Sequence, residues 1–239
     1  MGRLIVIEGL DGSGKTTQTD FFTDYFQKRV ASFLRVDFPD YESDSSALVK
    51  RYLAGEFGSD PKAVNPFAAA SFYAVDRFAH FQTKWKKLYE LGGLVLANRY
   101  TTANMVHQCS KLPDHEWDDF LDWLDNYEYK KLALPRPDLV IYLDLDPQKS
   151  QQLLSGRYQG DESKKDIHER DVAYLSLCRK AALAAAKRQG WQVIRCWEED
   201  RLLTREEMHQ KIFAVMAPYL AAWGLITKEE SKHDLDLSC

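Results

Sequence analysis

Nine consecutive residues, Gly9-Leu10-Asp11-Gly12-Ser13-Gly14-Lys15-Thr16-Thr17, follow the pattern G-x-x-x-x-G-K-[ST] and can wrap a chain of phosphates. Glycines without side chains let successive backbone N–H groups turn inward around phosphate oxygens. Lys15 adds a mobile cation, and Thr16 offers a hydroxyl to Mg2+. The expected ligand is a nucleoside triphosphate. Asp11 stands out inside this loop, because a carboxylate so near bound phosphates is repelled by them and must face an acceptor or a metal.

Such a loop works only between a buried strand and the start of a helix. Arg3-Leu4-Ile5-Val6-Ile7-Glu8 has the continuous apolar middle of a strand covered on both faces, and Phe21, Phe22, Tyr25, Phe26 and Val30 follow at helical spacing. The N-terminus of that helix then points at the phosphates. Four further apolar runs are expected as strands: Phe33 to Phe38, Leu94 to Ala97, Leu139 to Leu145 and Gln192 to Cys196. Helical patterns separate them, so the sheet is parallel and doubly wound. In such sheets ligands gather at the carboxyl ends of the strands. The residues there are Asp11 and Lys15, then Asp40 and Tyr41, then Asn98 and Arg99, then Asp146.

Long helical stretches are expected from about Asn65 to Leu91, and between Leu112 and Arg136, where Trp117, Phe120, Leu121 and Leu124 recur at helical spacing in an acidic segment. The second is expected to shield the sheet or a partner. Thr204-Arg205-Glu206-Glu207 has the form of a capping box and starts a last helix with Met208, Ile212, Val215, Met216 and Tyr219, expected as scaffold. The expected organisation is one domain over residues 1–225 with a polar tail over 226–239.

Composition narrows the partners. With 239 residues, 32 Lys and Arg against 36 Asp and Glu and a net charge of -4, the chain carries no overall field for nucleic acid or an acidic membrane. Cys109, Cys178, Cys196 and Cys239 form no C-x-x-C pair and are expected to be reduced bystanders. The first strand begins at once and no apolar run approaches the length of a membrane span, so a cytoplasmic protein is expected.

Beyond the loop, four motifs fall in one order: Phe38-Pro39-Asp40, Tyr73-x-x-x-Arg77, Asn98-Arg99-Tyr100 and Leu134-Pro135-Arg136-Pro137-Asp138. Together they resemble the thymidylate kinases over about residues 3 to 200. The resemblance implies a three-layer αβα P-loop kinase fold, an α/β architecture with a five-stranded parallel sheet and a lid segment. It implies Mg2+-dependent transfer of the γ-phosphoryl group of ATP to dTMP, giving dTDP and ADP. A homodimer is implied by the family only.

The resemblance also assigns roles. Gly9 to Thr17 hold ATP. Tyr73 and Arg77 share a helix face, where a ring stacks on a base and a guanidinium donates to its carbonyl; in the family this pair recognises thymine, and Phe72 is the neighbouring alternative for stacking. Arg99 grips the acceptor monophosphate. Asn104 matches a position that donates to the pyrimidine, Asp11 matches one that accepts from the sugar 3'-hydroxyl, and His107 or Gln108 lines the sugar. Phe38, Pro39 and Tyr41 belong to the acceptor site. Residues 155–171, nearly free of apolar side chains and holding two glycines, look like a lid. Arg157, Lys164, Lys165 or Arg170 could deliver a cation from it, with Arg157 the first choice because Gly12 stands where some relatives carry a basic residue.

Two positions depart from the family. Asn98 stands where most relatives have Asp, so the expected metal pair is Thr16 and Asn98, with Asp11, Glu8 or Glu162 as compensating acids. Tyr41 stands where arginine is usual, and Lys50 or Arg51 could replace that clamp. Two other functions remain on the sequence alone: a P-loop kinase for another acceptor, such as dUMP or a deoxynucleoside, and a nucleotide-binding regulatory module without turnover.

Overall fold

The computed structural model describes residues 1–58, 60, 62–149, 172–227, 229 and 230. Five parallel strands form one sheet: β1 (Arg3–Gly9), β2 (Phe33–Asp37), β3 (Leu94–Asn98), β4 (Leu139–Asp144) and β5 (Gln192–Arg195), in the order β2-β3-β1-β4-β5. β1 lies between β3 and β4, with Ile7 opposite both Asn98 and Ile141. Its six residues from Leu4 to Gly9 are all buried, which is why the run shows no polar alternation.

Helices cover both faces. Leu4 and Val6 point into a cluster with α3 (Pro66–His80), α5 (Thr101–Cys109), α6 (Trp117–Leu124) and α7 (Val172–Gln189). Ile5 and Ile7 point the other way, against α1 (Lys15–Gln27) and α8 (Arg205–Ala222). The alternation of side chains along one strand thus builds the three layers. α2 (Ala47–Leu53) and α4 (Lys86–Glu90) are the other α-helices among the described residues.

Local signals start the helices. Asn65 accepts from the Ala68 N–H at the head of α3, with Pro66 in the first turn. Thr204 and Glu207 close a reciprocal capping box on α8. The stretch expected from Asn65 to Leu91 is α3, a π-helical turn over Phe81–Trp85, and α4. The acidic segment is α6 followed by a second π-helical turn, Asp125–Lys131; Trp117, Phe120, Leu121 and Leu124 are buried against the sheet side.

Strand ends, a hairpin and one residue of the expected tail differ from the sequence expectation, with β4 stopping at Asp144 and β5 at Arg195. β3 runs on through Asn98, and β2 stops at Asp37, leaving Phe38 as the first loop residue. A small antiparallel hairpin, β6 (Trp197–Glu198) with β7 (Arg201–Leu202), was not expected; two residues per strand carry too short a pattern. Ile226, at the start of the expected tail, is buried in the cluster under α8.

Candidate active site

The phosphate loop is shaped by close approach at one end and backbone conformation at the other. A Cβ on Gly9 would stand 2.8 Å from the Leu143 carbonyl oxygen, so β4 packs directly on a bare backbone. Gly14 has φ +88° with open space around it, so here glycine is needed for the left-handed turn into α1. Lys15 follows, nearly buried, its Nζ donating to Leu10 O at 2.9 Å and standing 3.5 Å from Asp11 Oδ1. Burial and the Arg99 charge bring its ammonium down to about 8, against the pull of Asp11 and Glu8.

Arg99 is the hub. It has φ +65°, a left-handed conformation that costs a side-chain-bearing residue roughly 1–2 kcal/mol and that turns the chain sharply out of β3. Its N–H still donates to Ile7 O. The guanidinium then reaches back over the loop: Nη2 donates to Asp11 Oδ1 at 2.5 Å, and Nη1 lies 3.3 Å from both Glu8 Oε1 and His107 Nε2. Glu8 is fully buried and also accepts from Gly9 N–H and the Thr102 hydroxyl. Burial alone would push the Asp11 carboxyl up, but Arg99, Lys15 and His107 outweigh it and hold the group well below the usual carboxylate range. Glu8, one of the three acids offered by the sequence as compensating for Asn98, is an anchor for Arg99 here.

At the same strand end, Asn98 Nδ2 donates to Asp37 Oδ1 at 2.9 Å, across the register pair Asp37–Asn98. Asn98 Oδ1 is buried without a hydrogen-bond partner among the described residues. An orphaned carbonyl oxygen beside a phosphate loop fits a cation or its water, so the residues present are compatible with Mg2+. Asp37, the acid that touches Asn98, is gripped by Arg35 through Nε and Nη2. Among the described residues no three His, Cys, Asp or Glu side chains cluster to hold a metal.

The acceptor end is built on α3 and α5. Tyr73 and Arg77 both line it, Tyr73 edge-on to Tyr52 at 6.3 Å. Arg77 is buried and held by Glu128, Nε to Oε2 at 2.7 Å and Nη2 to Oε1 at 2.5 Å, while Nη1 donates to Tyr100 O. Burial opposes the Arg77 charge, and Glu128 more than offsets it. Asn104 differs from expectation: its amide nitrogen donates to Glu128 Oε1 and Ala70 O, so the group it turns to a ligand is its oxygen. The donor role expected of Asn104 is corrected to an acceptor, because two fixed acceptors already hold both of its N–H bonds.

These residues border one cleft of about 1060 Å3. Asp11 to Thr17, Phe38, Pro39, Tyr41, Tyr73, Arg77, Asn98, Arg99, Asn104, His107 and Gln108 all line it. Gly9 and Leu10 do not; they are buried beneath the loop as its footing. Phe72 packs with Phe57 and Tyr52 instead of facing the cleft, and Lys50 and Arg51 turn to Tyr41 O and Glu56. Arg157, Lys164, Lys165, Arg170 and Glu162, with the whole expected lid, lie outside the described residues.

Sequence reasoning missed several contributors. Glu128 is one acid among several in its segment and nothing local marks it. Asp76 is buried and accepts from Asp40 N–H and the Ser45 hydroxyl, fixing the loop after β2 to α3. Leu203, Arg205 and Met208 border the donor end, and Gln18 donates to Arg205 O, so the start of α8 is more than scaffold. Asp138 of the Pro-rich motif accepts from Leu4 N–H and Arg3, a latch between β4 and β1 remote from the chemistry.

A phosphate loop at the end of the central strand and a guanidinium just past the neighbouring strand end, in one cleft that Tyr73, Arg77 and Asn104 also line, form the arrangement of a P-loop phosphotransferase. The family model for thymidylate kinase matches residues 7–212, and the chain belongs to that family. A thymidylate kinase of Mycobacterium tuberculosis is 30% identical over 190 residues, which span 79% of this chain and 87% of that one. A probable thymidylate kinase of Thermococcus gammatolerans is 31% identical over 159 residues, 66% of this chain and 72% of that one. The solved thymidylate kinase of Candida albicans superposes with a TM-score of 0.66 at 19% identity, covering 91% of this chain and 92% of that chain.

Proposed function

We propose that the cleft transfers the γ-phosphoryl group of ATP to dTMP, giving dTDP and ADP, with the roles divided among the residues described above. The observation that carries this reading is the placement of Arg99 between the phosphate loop and the Arg77–Asn104 wall, within one continuous cleft. Lys15 and the loop amides take the donor phosphates. Arg99 keeps Nε and one Nη2 proton without partners among the described residues, and these take the acceptor phosphate. Asp11 holds Arg99 in place and faces the acceptor side. Transfer is in line, so positioning and neutralisation of charge are what the protein supplies, with no covalent intermediate.

Thr16 and Asn98 Oδ1 are the residues that would hold Mg2+, which when bound would supply neutralisation of the donor phosphate charge. Asn98 would bring an oxygen without a formal charge, so it would attract the metal less strongly than an aspartate. A homodimer is part of the reading: Phe67, Val75 and Phe78 are exposed along α3, an apolar stripe that a second copy could cover. No helix among the described residues is long and apolar enough to cross a membrane, and the cytoplasm is the compartment we infer.

The test is ADP release with MgATP and each of dTMP, dUMP, dCMP, dGMP, AMP and thymidine, beside a control without acceptor. Turnover that depends on dTMP above the others supports the reading. Turnover only with dUMP or thymidine moves the acceptor, and nucleotide binding with no transfer leaves a regulatory module. Sedimentation of wild type and Val75→Glu tests the dimer, which the substitution should split.

A further inference from the structure

Glu128 is fully buried in the π-helical turn Asp125–Lys131, a backbone irregularity of the kind that gathers at functional sites. A carboxylate taken out of water must be paired, and this one accepts three hydrogen bonds: two from Arg77 and one from Asn104. Both partners border the acceptor end of the cleft, and they come from two different helices, α3 and α5.

The consequence lies in what those partners have left. Arg77 has five N–H bonds; two go to Glu128 and one to Tyr100 O, so two remain among the described residues. Asn104 has both N–H bonds engaged, by Glu128 Oε1 at 2.9 Å and Ala70 O at 3.1 Å. Flipping its amide would set its oxygen against a carboxylate and a carbonyl, so the orientation is settled by Glu128 together with Ala70 O, and Glu128 supplies the charged part of that preference. The wall then presents donors from Arg77 and an acceptor from Asn104. Thymine and uracil carry a C4 carbonyl next to an N3–H, which complements that order. Cytosine carries an amino group next to a bare N3, and reverses it at both places.

We propose that Glu128 is a positioning residue that sets the donor–acceptor polarity of the base-recognising wall, selecting a base with an N3–H beside a C4 carbonyl. This rests on the dTMP reading above. It adds a residue that never touches the substrate and acts through both that do.

Glu128→Gln tests it, because the carboxamide has nearly the same shape but offers one oxygen to three donors. The dissociation constants of dTMP and dCMP, measured by calorimetry, should converge by ~tenfold or more, with KM for dTMP raised and KM for ATP unchanged. A folded variant that keeps the wild-type ratio overturns the proposal, while wild type that fails to use dTMP overturns the reading beneath it. If the variant does not fold, the side-chain NH2 signal of Asn104 in wild type decides by NMR. A slowly exchanging signal that barely moves when dTMP binds supports the proposal; a signal shifted by a new hydrogen bond to the ligand overturns it.

Discussion

Arg99 and Asp11 are joined within the cleft, guanidinium to carboxylate at 2.5 Å, so the cation we propose for the acceptor phosphate is held by the loop we propose for the donor. The pair is preorganised: Glu8 and His107 hold the other face of Arg99, and the left-handed backbone at Arg99 points it back over β1. Preformed charge costs no reorganisation during transfer, which is where such groups gain their effect.

Replacing Arg99 should therefore hurt catalysis far more than folding. Arg99→Ala is expected to lower kcat/KM for dTMP by ~100-fold or more, with KM for ATP changed little. Steady-state kinetics beside a thermal melt would check this, and near-normal dTMP kinetics would remove Arg99 from the mechanism. Arg99→Lys should recover little, because a point charge cannot reach Asp11 and phosphate together.

Lys15 gives nucleotide binding a pH dependence. Its ammonium is brought down to about 8 in the free protein, so it loses its proton as pH rises through 8. Phosphates favour the charged form, so binding above pH 8 takes up a proton and the affinity for ATP falls with rising pH, by up to ~tenfold per unit. Calorimetry in two buffers of different ionisation enthalpy measures the uptake. A proton count of zero at pH 9 would contradict this account of Lys15.

Asn98 and Asp37 predict a metal response. Asn98→Asp should keep the fold, since the side chains are nearly the same shape, and should lower the Mg2+ needed for half-maximal turnover severalfold by adding charge. The new carboxylate would also face Asp37, an acid already held by Arg35. A Mg2+ titration that superimposes on wild type would show that position 98 does not serve the metal.

His209 predicts an acid weakness in the scaffold. It is buried on α8 against Phe21 and Phe22, with Nδ1 unpartnered among the described residues, and burial brings its imidazolium down to about 4. Above pH 6.5 both folded and unfolded forms are neutral and nothing changes. Below it the unfolded chain takes a proton that the fold refuses, so stability falls until about pH 4, by about 3 kcal/mol in all. Urea unfolding of wild type and His209→Gln should show the wild-type advantage shrinking across that range; a constant offset would contradict it.

What the sequence made legible was what local spacing encodes. The Gly9–Thr17 loop, the buried β1 run and the Thr204 box each lie within a few residues, and strand positions follow from apolar runs. Pairings across long separations were not legible. Glu128 meets Arg77 from 51 residues away, and its neighbours Asp118, Asp119, Asp122 and Asp125 are the same kind of residue on the same stretch. The π-helical turn that carries Glu128 inward has no spacing signal of its own. Asp37 meets Asn98 only because two strands align in that register. Asn104 shows the same limit in finer form: its place at the cleft followed from the family pattern, but which end of its amide faces a ligand depended on Glu128.

The most direct measurement is the fate of the label from γ-32P-ATP incubated with the protein, Mg2+ and dTMP, with products separated and identified. The account predicts label in dTDP, in amount equal to the ADP released, and loss of that product in Arg99→Ala. Label recovered as inorganic phosphate, or remaining in ATP while dTMP is bound, would contradict it.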